Sequence, residues 1–186
     1  YLFTIIWGKE TDSCDAEGKV IQESFNRPEV QGINAIINKY FTGDIMQRPP
    51  AFSAIKINGK RAYELARKNV KFKIKKKKIQ ILDFRLLENV QNYYSKFIIK
   101  CGPGTYIRSL ARDLGHKLST FGYAANIVRI ESSRFSYKAA TKLEILLDSS
   151  IEELNKYILP LDFPLDNYPE IKIEKKYSDM LKDGKM

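Results

Sequence analysis

From Val70 to Leu87 the chain reads VKFKIKKKKIQILDFRLL, charged side chains set against apolar ones. Successive side chains of a strand point to opposite faces, so the pattern predicts one long strand with a wet face and an apolar face. The stretch ENVQN that follows is a turn, and YYSKFIIKC, residues 93–101, is a second strand. YLFTIIWG at residues 1–8 predicts a further strand, and VIQESF at 20–25 a short returning one. Between them lies GKETDSCDAEGKV, a polar loop rich in turn formers. In PEVQGINAIINKY, Pro28 fits a first helical turn, and Val30, Ile33, Ile36, Ile37 and Tyr40 recur at helical spacing. Pro49-Pro50 enforce extended backbone. A short strand over 52–57, an Asn58-Gly59 turn and a short basic helix over 61–68 follow. Further on, the spacing predicts a helix over about 106–119, a connection and small strand over 121–128, and a strand in VRIESSRFS. A helix over 143–158 ends near Pro160. Strands and helices alternate irregularly, with hairpin signals. The fold class is therefore α+β, with a mixed or mostly antiparallel sheet flanked by helices, rather than a doubly wound one.

A length of 186 residues suits one domain, or one domain and a fragment. The net charge of +10 makes a polyanion the first partner to consider. No apolar run reaches the roughly eighteen residues of a membrane helix, and no signal-peptide pattern opens the chain. Cys14 and Cys101 lie far apart without a CxxC, which points to a reducing compartment, the cytoplasm. His116 is the single histidine, which removes most zinc sites and any simple Ser-His-Asp triad. A surface or capping role is expected for it. Because the chain opens in mid-strand without Met, it reads as a piece of a longer protein.

Several stretches carry chemistry. Lys71 to Lys78 hold six lysines in eight residues. They are either the solvated face of an edge strand, blunting edge pairing, or a stripe that tracks phosphates. Nearby, SAIKINGKRAYELARK adds Lys56, Lys60, Arg61, Tyr63, Arg67 and Lys68. Cations that neutralise phosphates, interleaved with a ring that stacks on unpaired bases, suit RNA. Asp12, Asp15 and Glu17 do not match the spacing of a calcium loop. They read as a turn whose Asp and Thr side chains bond backbone groups. In CGPGTYIRSLARDLG a tight turn opens a helix, with Thr105 a candidate cap. Arg108 then sits in the first turn, where a cation opposes the helix dipole, and this calls for an anionic partner.

These stretches resemble the TruB-type tRNA pseudouridine synthases. GKETDSCDAEG looks like that family's GxxTDTxDxxG loop. FTGDIMQRPPAFSAIKINGKRAYELARKN resembles its F-x-G-x-I-x-Q-x-P-P-x-[FY]-S-A segment and continuation. CGPGTYIRSLARDLG resembles its G-T-Y-[IV]-R-[ST]-L-x-x-D-L-G motif. NIVRIESSRFS resembles its LRR-x-x-[VS]-G-x-[FY] stretch, with Ile127-Val128-Arg129 in place of Leu-Arg-Arg and Ser133 where Gly is common. The resemblance runs in order over nearly residues 1–165. It implies the pseudouridine synthase fold for 1–165, with residues 51–79 as a thumb-like RNA-binding insertion. Residues 166–186 would be a tail, or the opening strands of a C-terminal PUA-type domain.

The activity implied is isomerisation of uridine to pseudouridine in the T loop of tRNA, position 55, without metal or cofactor. Tyr106 would pack on the flipped base and assist proton removal from C5. Arg108 would pair with the family's nucleophilic Asp. Tyr1, Ile127 and Arg129 would bind substrate. Lys56, Lys60, Arg61, Tyr63, Arg67, Lys68, Lys75, Lys76, Lys77 and Lys78 would bind RNA, the partner being the T arm and the protein a monomer. The family's G-x-L-D-x-x-A-x-G motif is absent from these 186 residues. The chain alone is therefore expected to be inactive, with Arg108 left to solvent, an anion or a neighbouring acid. The alternatives are a non-catalytic RNA-binding module or RNA chaperone and, with little support from the motifs, a phosphate-loop nucleotide-binding protein.

Overall fold

The computed structural model describes all residues except 92, 166, 167, 170, 185 and 186. The end of the expected ENVQN turn and parts of the tail therefore lie outside the described residues. The chain divides into two compact units, Tyr1–Ile130 and Glu131–Met186.

In the first unit the strands are β1 (Leu2–Trp7), β2 (Lys9–Thr11), β3 (Val20–Glu23), β4 (Gly43–Gln47), β5 (Lys56–Ile57), β6 (Lys60–Arg61), β7 (Lys77–Val90), β8 (Tyr94–Cys101) and β9 (Gly122–Val128). The helices are α1 (Val30–Tyr40), α2 (Ala62–Arg67) and α3 (Ile107–Lys117). Five strands form one sheet in the order β4-β7-β8-β1-β9, and every neighbouring pair is antiparallel. Phe3, Ile5 and Trp7 of β1 alternate inward and meet Phe97 and Ile99 of β8. Phe3 and Phe97 stack at 5.4 Å between ring centres, and Trp7 meets Phe97 edge-on at 6.3 Å. The buried indole keeps a partner: its Nε1–H donates to Ser95 Oγ at 2.7 Å. Ile33 and Ile37 of α1, with Leu110, Ala111 and Leu114 of α3, complete this core. Burying such side chains stabilises by roughly 1.5–3 kcal/mol each.

Helix α3 lies unusually close to β9. A Cβ on Gly115 would stand 2.7 Å from Gly122 N and 2.9 Å from Phe121 C, both backbone atoms that cannot yield. Glycine there is a packing requirement, and it fixes how α3 is laid against the sheet.

The predicted strand over 70–87 is displaced. Residues 70–76 carry no regular structure, and β7 begins at Lys77. A strand needs a neighbour to take up its backbone groups. β4 offers only five residues, pairing Gln47 with Lys77 through Gly43 with Ile81, so nothing in β4 meets 70–76. β7 is also not an edge strand, since β4 lies on one side and β8 on the other. The edge-blunting reading of Lys71–Lys78 is thus corrected. β7 changes inward parity as well: Ile79 and Ile81 are buried, then Phe84, with a register shift between Ile81 and Asp83.

The second unit holds a small hairpin, β10 (Glu131–Ser132) with β11 (Phe135–Ser136). It also holds the helices α4 (Leu143–Asp148), α5 (Ile151–Leu154) and α6 (Lys175–Lys182). Ser133, in the hairpin turn, takes φ 53°, the left-handed region that glycine enters most readily. The single helix expected over 143–158 is broken. Ser150 accepts from Glu153 N–H, and the Glu153 carboxylate accepts from Ser150 N–H, so a capping box starts a new helix there. Within the stretch 166–186, Lys175–Lys182 form α6.

Candidate active site

A cleft of about 660 Å³ opens between the loop after β2, the loop after β4, α2 and the start of α3. Asp12, Ser13, Asp15, Phe52, Ser53, Tyr63, Arg67, Tyr106 and Arg108 are among its lining residues.

The acidic loop is held by its own side chains, as the turn reading expected. Asp12 Oδ1 accepts from Lys19 N–H at 2.9 Å, and Thr11 Oγ1 donates to Asp15 O at 2.6 Å. Asp15 Oδ1 accepts from Ser13 Oγ at 2.5 Å and from Glu17 N–H at 3.1 Å. A Cβ on Gly18 would fall 2.9 Å from Ser13 N, a backbone atom, and closer still to Ser13 Oγ, so the loop closes tightly around glycine. Cys14 N–H donates to Thr11 O, Cys14 O accepts from Ala124 N–H, and residue 14 has φ 61°. The loop is thereby pinned to β9, which leaves the second oxygen of Asp15 free to turn toward the cleft.

That oxygen meets Arg108. Arg108 Nη1 donates to Asp15 Oδ2 at 2.9 Å and to Ser13 O at 3.2 Å, and Nη2 donates to Phe52 O at 2.8 Å. Both side chains of the pair are about a quarter exposed. Of the partners expected for Arg108, solvent, an anion or a neighbouring acid, the structure supplies the acid, Asp15. A guanidinium has five donor hydrogens. Three are engaged here, which leaves two without a partner among the described residues.

Thr105 is not the cap of α3. Its hydroxyl donates to Gly102 O at 2.9 Å and closes the Gly-Pro-Gly turn, while Tyr106 occupies the N-cap position with extended backbone. Tyr106 is instead held by Gln47. Gln47 Oε1 accepts from Tyr106 N–H at 2.9 Å, and Gln47 Nε2 donates to Tyr106 O at 3.1 Å. Arg48 O accepts from Ser109 Oγ and from Arg112 Nη2, each at 2.8 Å.

Behind α3, Arg112 pairs with Asp113 at 2.7 Å and points Nη1 at Cys14 Sγ, 3.9 Å away. Cys14 is buried, and burial pushes its thiol pKa up, which disfavours the thiolate. His116 Nε2 lies 2.5 Å from Glu10 Oε2, and this hydrogen bond raises its pKa above the ordinary value. Among the described residues, no group of three or more His, Cys, Asp or Glu is placed to hold a metal ion.

The structure brings Tyr106, Arg108, Tyr63 and Arg67 to one cleft, with the Arg67 guanidinium 5.4 Å from the Tyr63 ring centre. Tyr1, Ile127 and Arg129 are not among the lining residues of that cleft; the Arg129 guanidinium lies 5.1 Å from the Tyr1 ring centre, and Ile127 is exposed on β9. Lys56 and Arg61 are cross-strand partners in the β5–β6 hairpin, which leads directly into α2, and Arg61 Nη1 also donates to Ala54 O. Lys60, Lys68 and Lys75–Lys78 are exposed, and Lys78 pairs with Asp44 at 2.8 Å. Asp15 was read from sequence only as a turn residue, and Gln47 and Phe52 were not singled out. The motifs that hold Tyr106 and Arg108 were the one available signal, since all three lie in stretches with the same family pattern.

Taken together, the antiparallel sheet and its helices are the α+β pseudouridine synthase fold. A solved Cbf5-Nop10-Gar1 complex shares this fold at a TM-score of 0.53 and 19% identity, over 85% of this chain and 39% of that one. The chain belongs to the TruB family of pseudouridylate synthases, whose N-terminal-domain model matches residues 1–107. Proteins named tRNA pseudouridine synthase B are similar along its whole length. The Caulobacter vibrioides protein is 36% identical over all 186 residues, covering 60% of that protein, and the Aquifex aeolicus protein 37% identical, covering 64%. The Bartonella bacilliformis protein is 45% identical over 135 residues. The chain thus spans about 60% of the length of the Caulobacter and Aquifex proteins. Among the described residues, no helix is long and apolar enough to cross a membrane.

Proposed function

We propose that the protein carrying this chain is a tRNA pseudouridine synthase that converts uridine to pseudouridine in the T loop, at position 55. One observation carries the reading. Arg108 stands in the cleft beside Tyr106, tied to Asp15 on one side and with two donor hydrogens still open. A cation so held orients a second carboxylate and keeps it ionised. The reaction breaks the uracil–ribose bond, turns the base, and rejoins it through C5 with loss of the C5 proton. The nucleophilic Asp belongs to a G-x-L-D-x-x-A-x-G motif that these 186 residues do not contain.

In this reading Tyr106 packs on the flipped base and takes part in removing the C5 proton. Tyr1, Ile127 and Arg129 bind the nucleotide. The basic segment 51–79 grips the T arm. Extrusion of the base costs a few kcal/mol, offset by stacking and backbone contacts. The similarity to proteins named for acting on tRNA and the net charge of +10 support an RNA substrate. The protein acts in the cytoplasm as a monomer. Residues 166–186 are a tail or the start of a C-terminal PUA-type domain.

The test is tritium release from a T-arm stem-loop labelled at C5 of uridine. The 186-residue chain should bind this RNA and release no tritium. A form extended to include the Asp motif should release it from the T-loop uridine alone. Release at the same rate from both forms, or from neither, would reject the reading.

A further inference from the structure

We propose that Gln47 is a positioning residue for the Tyr106–Arg108 turn, its side-chain amide serving in place of a strand backbone. β4 pairs with β7 as far as Gln47 and Lys77. Two residues later come Pro49 and Pro50, which have no N–H and cannot continue a ladder. At that point the Gln47 carboxamide, 1% exposed, takes over: it accepts from Tyr106 N–H and donates to Tyr106 O. This is the two-bond exchange that a backbone neighbour makes in an antiparallel pair. Tyr106 is the N-cap residue of α3, where backbone N–H groups have no helical partner.

The geometry restricts the side chain. Asparagine is one carbon shorter and cannot reach both groups. Leucine or methionine fills the space and leaves a buried donor unpaired. Glutamate accepts from the N–H in either form, but donates to Tyr106 O only when protonated. Arg48 O, next in the chain, receives Ser109 Oγ and Arg112 Nη2, so the same exit from β4 also fixes the first turns of α3. Rotation of that helix start sets where Tyr106 and Arg108 enter the cleft. Gln47 acts on the cleft through these two residues.

Two measurements test this. The first is amide exchange in the 186-residue chain, independent of any activity. In Gln47→Met the Tyr106 amide should exchange at least about tenfold faster, the loss of one net hydrogen bond. Leu114, inside α3, should stay protected. Unchanged Tyr106 exchange would overturn the proposal.

The second measurement rests on the pseudouridine synthase reading and uses the form extended to include the Asp motif. Gln47→Met should lower kcat on T-arm RNA about tenfold or more with KM nearly unchanged. Gln47→Glu should regain activity relative to wild type as pH falls and its carboxyl protonates. A Gln47→Glu pH profile parallel to wild type, or a change in KM alone, would overturn the proposal. If wild type itself shows no isomerisation, the functional reading fails, and the exchange result still decides what Gln47 does to the turn.

Discussion

Replacing Arg108 with alanine removes three contacts at once: the ion pair to Asp15 Oδ2 and the hydrogen bonds to Ser13 O and Phe52 O. The magnitude follows from burial. Exposed ion pairs contribute about 0–1 kcal/mol, and breaking a fully buried pair costs about 3–5 kcal/mol. With side chains 25% and 22% exposed, this pair lies between those limits. Asp15 keeps its bonds to Ser13 Oγ and Glu17 N–H, and water can reach the two freed carbonyls. The expected cost is about 2 kcal/mol. For a chain of this size each kcal/mol shifts Tm by about 2–4 °C, so Arg108→Ala should lower Tm by about 4–8 °C. The assay is thermal unfolding of wild type, Arg108→Ala, Asp15→Ala and the double variant. The cycle should return a coupling of about 1–2 kcal/mol. Additive single changes, or a Tm drop below about 1 °C for Arg108→Ala, would show that Asp15 is not the partner that holds Arg108 in solution.

Two further outcomes are expected. The hydrogen bond to the Glu10 carboxylate raises the His116 pKa, so its contribution to stability is fully present below the unfolded-state value of about 6.5 and is lost as pH rises through the higher folded value. The chain has one histidine, so an NMR titration reads it directly: Glu10→Gln should lower its midpoint, and an unchanged midpoint would reject the pairing. On the RNA side, binding of a T-arm stem-loop should weaken with salt at a log–log slope of roughly −3 to −5, for about four to six phosphate contacts. Replacing Lys75–Lys78 with Gln should flatten it, and an unaltered slope would remove those lysines from the interface.

Much of the first unit was legible because its elements obey one period each. Phe3, Ile5 and Trp7 alternate as a strand must, and Ile33 and Ile37 recur as a helix must. The alternation of 70–76 misled because period records which side chains would share a face, not whether a neighbour exists to pair with. The parity shift near Leu82 was hidden for a related reason: a bulge inserts a residue without changing composition. Ser150-Ile151-Glu152-Glu153 did carry its capping signal in plain sight, and the apolar run on either side outweighed it. In the cleft, the turn with Tyr106 and Arg108 was visible from its glycines, and the need of Arg108 for an anion from the helix dipole. The identity of that anion was not, because Asp15 lies 93 residues away and reaches Arg108 only once β9 pins its loop. Gln47 was silent for the same reason, its role being set by Tyr106, 59 residues on.

The central claim is that the cleft lined by Asp15, Tyr63, Tyr106 and Arg108 receives the target uridine. A T-arm stem-loop with 4-thiouridine at the target position, irradiated in complex with this chain and mapped by peptide sequencing, tests it most directly. The account predicts cross-links to the peptide holding Tyr106 and to the 52–67 segment, lost when unlabelled T-arm RNA competes. Cross-links confined to the unit beyond Glu131, or unchanged by that competitor, would contradict it.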